Sequence, residues 1–296
     1  MDIRQLTYFI TIADEKNYTR AANNLHISQP SLSASVKKLE EELGLILIDR
    51  SERELRLTRE GQTLYQEAQK LLHHYEHVSC EMDRLKQQGP LELAIGLIES
   101  SMFFIPDVLT QFKQSHENVR ISLIETLSLD DVEKALNNFE IHLAITNQYI
   151  HQEAIETIPI YEENLVALLP PGHALGQRDM LNMQDLEGEN FIVCKEGFQT
   201  RQDTLNAFSK ASVKPNIQYE IERFETGCRL VEDGLGITIV PENYVSYARQ
   251  TDCTIKRISG TGISRIVYLA YDKNRYQPPI VVHLIELIKK FFASSQ

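Results

Sequence analysis

At 296 residues the chain has room for about two domains, and 42% apolar against 24% charged residues excludes a disordered or fibrous protein. The formal net charge of -12 excludes a surface that is basic throughout, yet residues 1–60 carry nine Lys/Arg against ten Asp/Glu while the remainder carries 21 against 32. No run of eighteen apolar residues and no basic segment leading into an apolar one occurs, so a cytoplasmic protein without a membrane partner is expected. Cys80, Cys194, Cys228 and Cys253 lack any Cys-x-x-Cys spacing, which indicates neither a zinc cluster nor a disulfide framework. Thiols distant in sequence can still meet as a redox pair. No cofactor and no metal are expected.

The first element is an amphipathic helix, with Ile3, Leu6, Phe9, Ile10 and Ala13 on one face. Thr19 is expected to cap a short second helix over 20–25, whose Ala21-Ala22 pair permits close helix crossing. Ser28 caps a third helix, with Pro30 tolerated in its first turn where backbone N–H groups lack intrahelical acceptors. Leu32, Val36 and Leu39 turn inward, leaving Gln29, Ser31, Ser33, Ala34, Lys37 and Lys38 outside. Short polar side chains there can bond base edges in a major groove while the lysines reach phosphate, and residues 16–39 hold four basic side chains and no acidic one. Residues 47–50 and 54–57 then read as a strand pair with a basic tip, Arg50 and Arg53. This is either a wing that touches DNA or a solvated hairpin.

From Thr58, a cap, to Gln88 a long helix is predicted, free of proline and with Gly61 its one glycine. Leu64, Ala68, Leu71, Tyr75, Val78, Met82 and Leu85 alternate at spacings of four and three, a coiled-coil seam that pairs two chains. His73, His77 and Cys80 lie a turn apart but away from the seam, which favours a solvated face over a metal site.

Gly89-Pro90 breaks the helix. Strand and helix segments then alternate, with strands expected at 91–97, 119–125, 141–146, 165–169, 191–194, 217–222, 237–240 and 266–271 and a last helix over 279–292. Ser128 with Asp131 forms a capping box, and Gly234-x-Gly236 a tight helix-to-strand turn. Several hydroxyls stand where strands end or helices begin: Ser100-Ser101, Thr126, Thr146 with Asn147, and Thr200-Arg201. Converging there with exposed backbone N–H groups, they suit a carboxylate, and Phe198 supplies an apolar wall. Each taken singly is equally an ordinary cap or surface group.

The Ala21-Ala22 pair, Ser28-Gln-Pro-Ser31, Leu39-Glu-Glu-Glu-Leu-Gly44 and Leu57-Thr-Arg-Glu-Gly61 together closely resemble the DNA-binding domain of LysR-type transcriptional regulators. Two departures are Ile48, where the family usually has Phe, and Ala34, where a longer polar side chain is common. Weaker similarity, strongest at Val231-Glu-Asp-Gly-Leu-Gly-Ile-Thr-Ile-Val-Pro241, extends to the same family's effector-binding domain, which is similar to periplasmic solute-binding proteins. The resemblance implies an α/β chain with an N-terminal all-α winged helix-turn-helix (1–60), a dimerising linker helix (58–88) and a two-lobed, type 2 periplasmic-binding-protein-like sensor (90–296). Lobe I would comprise about 90–161 plus 266–296, and lobe II about 162–265. It further implies that Gln29, Pro30, Ser31 and Ser33 face promoter DNA, with Thr19, Arg20, Lys37, Arg50 and Arg53 on its backbone. A small carboxylate or amino acid, anionic or zwitterionic, would bind between the lobes and act on a homotetramer built from two dimers. A transport protein has no use for the reader, and Gly-x-Ser-x-Gly, P-loop, His-Glu-x-x-His and Gly-x-Gly-x-x-Gly motifs are missing, which speaks against an enzyme.

Overall fold

The computed structural model describes residues 1–49, 55–87, 92–247, 252–260 and 264–293. Arg50 and Arg53 lie outside the described residues, as do the side chains of His77, Cys80 and Leu85. The chain divides into two compact units, Met1–Gly89 and Pro90–Gln296.

The first unit begins with α1 (Ile3–Glu15), α2 (Tyr18–Asn24) and α3 (Gln29–Leu43). Asp2 and Gln5 form a reciprocal capping box at the start of α1, each side chain accepting the other's backbone N–H at 2.8 Å. The buried face of α1 runs through Leu6, Phe9 and Ile12, with Ile3, Ile10 and Ala13 on its flank, so its centre lies one residue round from the predicted stripe. Thr19 does not cap α2. Asn17, in extended conformation, accepts the N–H of Arg20 at 3.0 Å, because the left-handed turn at Lys16 (φ 50°) ends α1 early enough for the next helix to start at Tyr18. Ser28 caps α3 as expected, its hydroxyl accepting the Ser31 N–H at 3.3 Å.

Ala21 and Ala22 are buried where the helices meet, and Leu32, Val36 and Leu39 of α3 close on Phe9 and Ile12. Burying each large apolar side chain contributes about 1.5–3 kcal/mol. Ile48 belongs to this core, so its departure from the family's usual Phe is a packing variant.

The strands β1 (Ile48–Asp49) and β2 (Arg56–Leu57) pair antiparallel, and α4 (Arg59–Gln87) follows. Thr58 Oγ1 accepts the Gly61 N–H at 3.0 Å and donates to the Ile46 carbonyl at 2.7 Å. A Cβ at Gly61 would sit 2.0 Å from the Leu47 carbonyl oxygen, so this close approach of α4 to the wing requires glycine. The predicted seam divides along α4. Leu64 and Ala68 are covered by their own unit, whereas Leu71, Tyr75, Val78 and Met82 are 45, 53, 45 and 55% exposed.

The second unit runs through β3 (Glu92–Leu97), a 3₁₀ turn (Glu99–Phe103), α5 (Ile105–Ser115), β4 (Arg120–Glu125), α6 (Leu129–Asn137), β5 (Leu143–Thr146) and β6 (Ile155–Leu169). It continues through β7 (Asn190–Cys194), α7 (Gln199–Lys210), β8 (Asn216–Ile221), α8 (Phe224–Glu232), β9 (Ile237–Pro241) and α9 (Glu242–Tyr247). It ends with β10 (Thr254–Arg257), β11 (Ser264–Asp272) and α10 (Pro279–Ala293). The described strands form one sheet in the order β4-β3-β5-β11-β6-β9-β7-β8, with β10 on β6.

Parallel β4, β3 and β5 with α5, α6 and α10 make one lobe; β7, β8 and β9 with α7 and α8 make the other. Antiparallel β6 and β11 run through both. The crossovers are therefore continuous strands rather than loops, and residues 161–162 and 265–266 lie inside them. The first half of β6 escaped prediction because Pro159 interrupts its pattern. Val267 pairs with Tyr161 and Tyr268 with Pro159, which leaves Ile160 as a bulge that accommodates the proline. Ser128 and Asp131 form the expected capping box, and Gly234 (φ 77°) turns α8 toward β9.

Candidate functional site

Two faces carry the chemistry the sequence singles out, one in each unit. On the first, Gln29, Pro30 and Ser31 are exposed at the N-terminus of α3, Ser33 is half-buried and Lys37 projects further along. Thr19 and Arg20 are exposed in the first turn of α2. Arg20 lies 2.9 Å from the half-buried Glu15 and Lys37 3.6 Å from Glu41, surface pairs of at most about 1 kcal/mol that a phosphate can displace. Ala34 is also exposed, leaving a shallow step in the outer face. Glu40 was not singled out by the sequence. Its Oε1 accepts the N–H groups of Leu47 at 2.9 Å and Ile48 at 3.2 Å, tying the wing to the third helix.

The second face lies where β6 and β11 pass between the lobes. Ser100, Ser101, Thr126, Thr146 and Thr200 are all buried there or at adjacent strand ends, and Asn147 is half-buried. Their hydroxyls are differently engaged. Ser101 Oγ donates to the Ile98 carbonyl at 2.6 Å, and Thr146 Oγ1 accepts the Gln148 N–H at 3.2 Å. Thr126 Oγ1 has no hydrogen-bond partner among the described residues, and Ser100 Oγ faces the Tyr161 phenol beyond ordinary hydrogen-bond distance. Phe198 occupies the N-cap position of α7, gives it no side-chain cap and packs against the core of its own lobe. Arg201 is held by the Cys194 carbonyl at 2.8 Å and by Glu220 at 2.7 Å.

A second arginine, absent from the sequence-based set, lies closer to the hydroxyls. Arg265 on β11 is buried opposite Glu163 on β6; its Nε and Nη2 both contact Glu163 Oε2 at 2.8 Å. Its Nη1 donates to Thr200 Oγ1 at 2.7 Å and lies 3.5 Å from Asp203 Oδ2. Glu163 and Arg265 lie just before the strands expected at 165–169 and 266–271, and nothing in the sequence joins residues so far apart. Other contacts hold one lobe to the other. Glu99 accepts the Phe224 N–H at the start of α8 at 3.0 Å, Glu125 pairs with Arg223, and Gln148 donates to Gln199 at 3.3 Å. Burial pushes the Glu99 carboxyl up to about 7 against the pull of the Phe224 N–H and Arg223. Burial likewise holds the Cys194 and Cys228 thiols at about 12, far from the thiolate form at neutral pH.

Among the described residues no group of three His, Cys, Asp or Glu is placed to hold a metal ion, and no helix is long and apolar enough to cross a membrane.

Comparison with known proteins covers both faces. Residues 3–62 match the bacterial regulatory helix-turn-helix protein, lysR family, and residues 86–293 match the LysR substrate binding domain. The transcriptional regulator CatR of Pseudomonas putida is 31% identical over 291 residues, 97% of this chain and 98% of its own. The hca operon transcriptional activator HcaR of Escherichia coli (strain K12) is 27% identical over 283 residues, 95% of each chain. Full-length BenM has a similar structure, with a TM-score of 0.61 at 27% identity over 100% of this chain and 98% of that one. The LysR family regulator CbnR reaches 0.71 at 24% identity over 99% of both, a likeness of fold alone.

Proposed function

Because the chain belongs to the LysR-type transcriptional regulators, a family of ligand-responsive DNA-binding proteins rather than enzymes, we propose that it binds promoter DNA as an oligomer and senses a small carboxylate or amino acid between its lobes. In this reading Gln29, Pro30, Ser31 and Ser33 meet base edges, while Thr19, Arg20 and Lys37, with Arg50 and Arg53 of the wing, meet the DNA backbone. The apolar stretch of α4 from Leu71 to Met82 pairs two chains, and two such dimers make a tetramer in the cytoplasm. Ligand acts by preferring one assembly state over another.

The observation that supports the sensor most directly is the buried Thr126 Oγ1, without a hydrogen-bond partner among the described residues, together with the buried Ser100 Oγ, which faces the Tyr161 phenol beyond ordinary hydrogen-bond distance. A buried polar group left unbonded costs about 1–3 kcal/mol, which a ligand oxygen recovers. The test uses full-length protein and duplexes from upstream of its own gene and of a neighbouring gene. Binding to these should weaken steeply with salt and respond to one of a panel of small carboxylates and amino acids. Ser100→Ala should abolish that response and leave DNA affinity in place. Retention of the full response contradicts the assignment of the site.

A further inference from the structure

The polar groups at the lobe junction hold one carboxyl in excess. Glu163 and Asp203 face a single guanidinium, that of Arg265, which reaches both carboxylates and Thr200. Arg265 spends both its Nε and Nη2 contacts on the same oxygen, Oε2 of Glu163. The other oxygen, Oε1, is buried with no hydrogen-bond partner among the described residues, although Glu163 as a whole is 1% exposed. Asp203 is similarly half-satisfied: its Oδ1 accepts from Gln199 at 2.6 Å, while its Oδ2 lies 3.5 Å from Arg265, an ion pair without a hydrogen bond. A charged oxygen buried in this way demands a donor, preferably a charged one.

Among the described residues the neighbouring arginines are already engaged. Arg201 is taken by Glu220 and the Cys194 carbonyl, and Arg223 by Glu125. Glu99 is engaged apart from this pair, by the Phe224 N–H. Tyr161 stands between the lobes with its ring stacked on Phe292, centroids 4.7 Å apart, and its buried phenol feels both Glu163 and Arg265. Burial, then Glu163, pushes that phenol above its ordinary range, so it stays a neutral donor or acceptor.

A dicarboxylate brought here would add two negative charges to a wall already acidic. An ammonium group would supply three donors to Glu163 Oε1 and Asp203 Oδ2 and balance the excess charge. We propose that the effector of this protein is an amine-bearing small molecule whose ammonium is held by Glu163 and Asp203. Any carboxylate it carries is met by the hydroxyls of Ser100 and Thr200 and by the uncapped first turn of α7. Thr200 suits this because its oxygen already accepts from Arg265, which leaves its own O–H to donate.

This inference rests on reading the lobe junction as the effector site, and the two fail differently. Full-length protein is melted with chain-length-matched probes: lysine and ornithine, cadaverine and putrescine, and the dicarboxylates adipate and glutarate. At least one amine-bearing probe should raise the midpoint by about 5 °C at saturation, with no comparable shift from the dicarboxylates. Asp203→Asn should weaken that probe about tenfold or more, as should Glu163→Gln where it folds, judged by circular dichroism and retained DNA binding. A dicarboxylate shift as large as that of the amines overturns the amine assignment and leaves the site standing. An amine shift indifferent to Asp203→Asn also overturns it. No shift with any probe overturns both.

Discussion

Gly61 shows most plainly how a single position carries the architecture of the reader. A side chain there would meet the Leu47 carbonyl oxygen at 2.0 Å, where the wing enters the core beside Ile48 and Thr58 bonds both strand and helix. Gly61→Ala should therefore destabilise the protein by about 3 kcal/mol in denaturant melts, whereas Gln62→Ala, at an exposed neighbour, should be nearly neutral. Equal midpoints for the two variants would refute the close approach. Glu99 offers a second test, through pH. Its carboxyl is raised from an ordinary 4.5 to about 7, so the folded chain holds that proton more tightly than the unfolded one. The resulting stability is full below about pH 4.5 and is lost as pH rises through about 7. Glu99→Gln keeps an acceptor for the Phe224 N–H but cannot ionise, so its melting temperature should fall less than wild type between pH 5 and pH 8. A steeper fall in the variant would contradict the burial of this carboxyl.

Elements whose signals are local were legible in the chain, and those set by distant contacts were not. Ser28 with Pro30 opened α3, and Ser128 with Asp131 opened α6, because caps are decided within four residues. The second helix was misjudged by two residues: Thr19 and Asn17 are both good caps, and the left-handed turn at Lys16 decides between them. The first half of β6 was hidden by Pro159, and the Arg265–Glu163 pair by a separation of 102 residues that only the β6–β11 register closes. On α4 the heptad spacing was visible, but not that Leu64 and Ala68 are used within their own unit. In the dimer proposed above, pairing falls to Leu71, Tyr75, Val78 and Met82, all exposed. Leu71→Asp combined with Val78→Asp should convert dimer to monomer in light scattering and weaken binding to a two-half-site duplex about tenfold or more. An unchanged mass would place the dimer interface elsewhere.

For the molecule as a whole, the two units divide the work as their charge does. The acidic excess belongs to the ligand-binding unit, while the first sixty residues, near neutral overall, keep their one basic window around the second and third helices. In the proposed reading, a reader with so few cations gains most of its discrimination from short contacts at base edges and from being doubled, so specificity should be sensitive to side chains that carry no charge. The most direct test replaces Gln29 and Ser33 together with alanine in the full-length protein. Affinity for the duplex upstream of its own gene is then compared with affinity for an unrelated duplex at one salt concentration. The ratio of the two should fall about tenfold or more while the unrelated duplex is bound as before. A specificity ratio that survives the double substitution would contradict the assignment of α3 as the element that reads DNA.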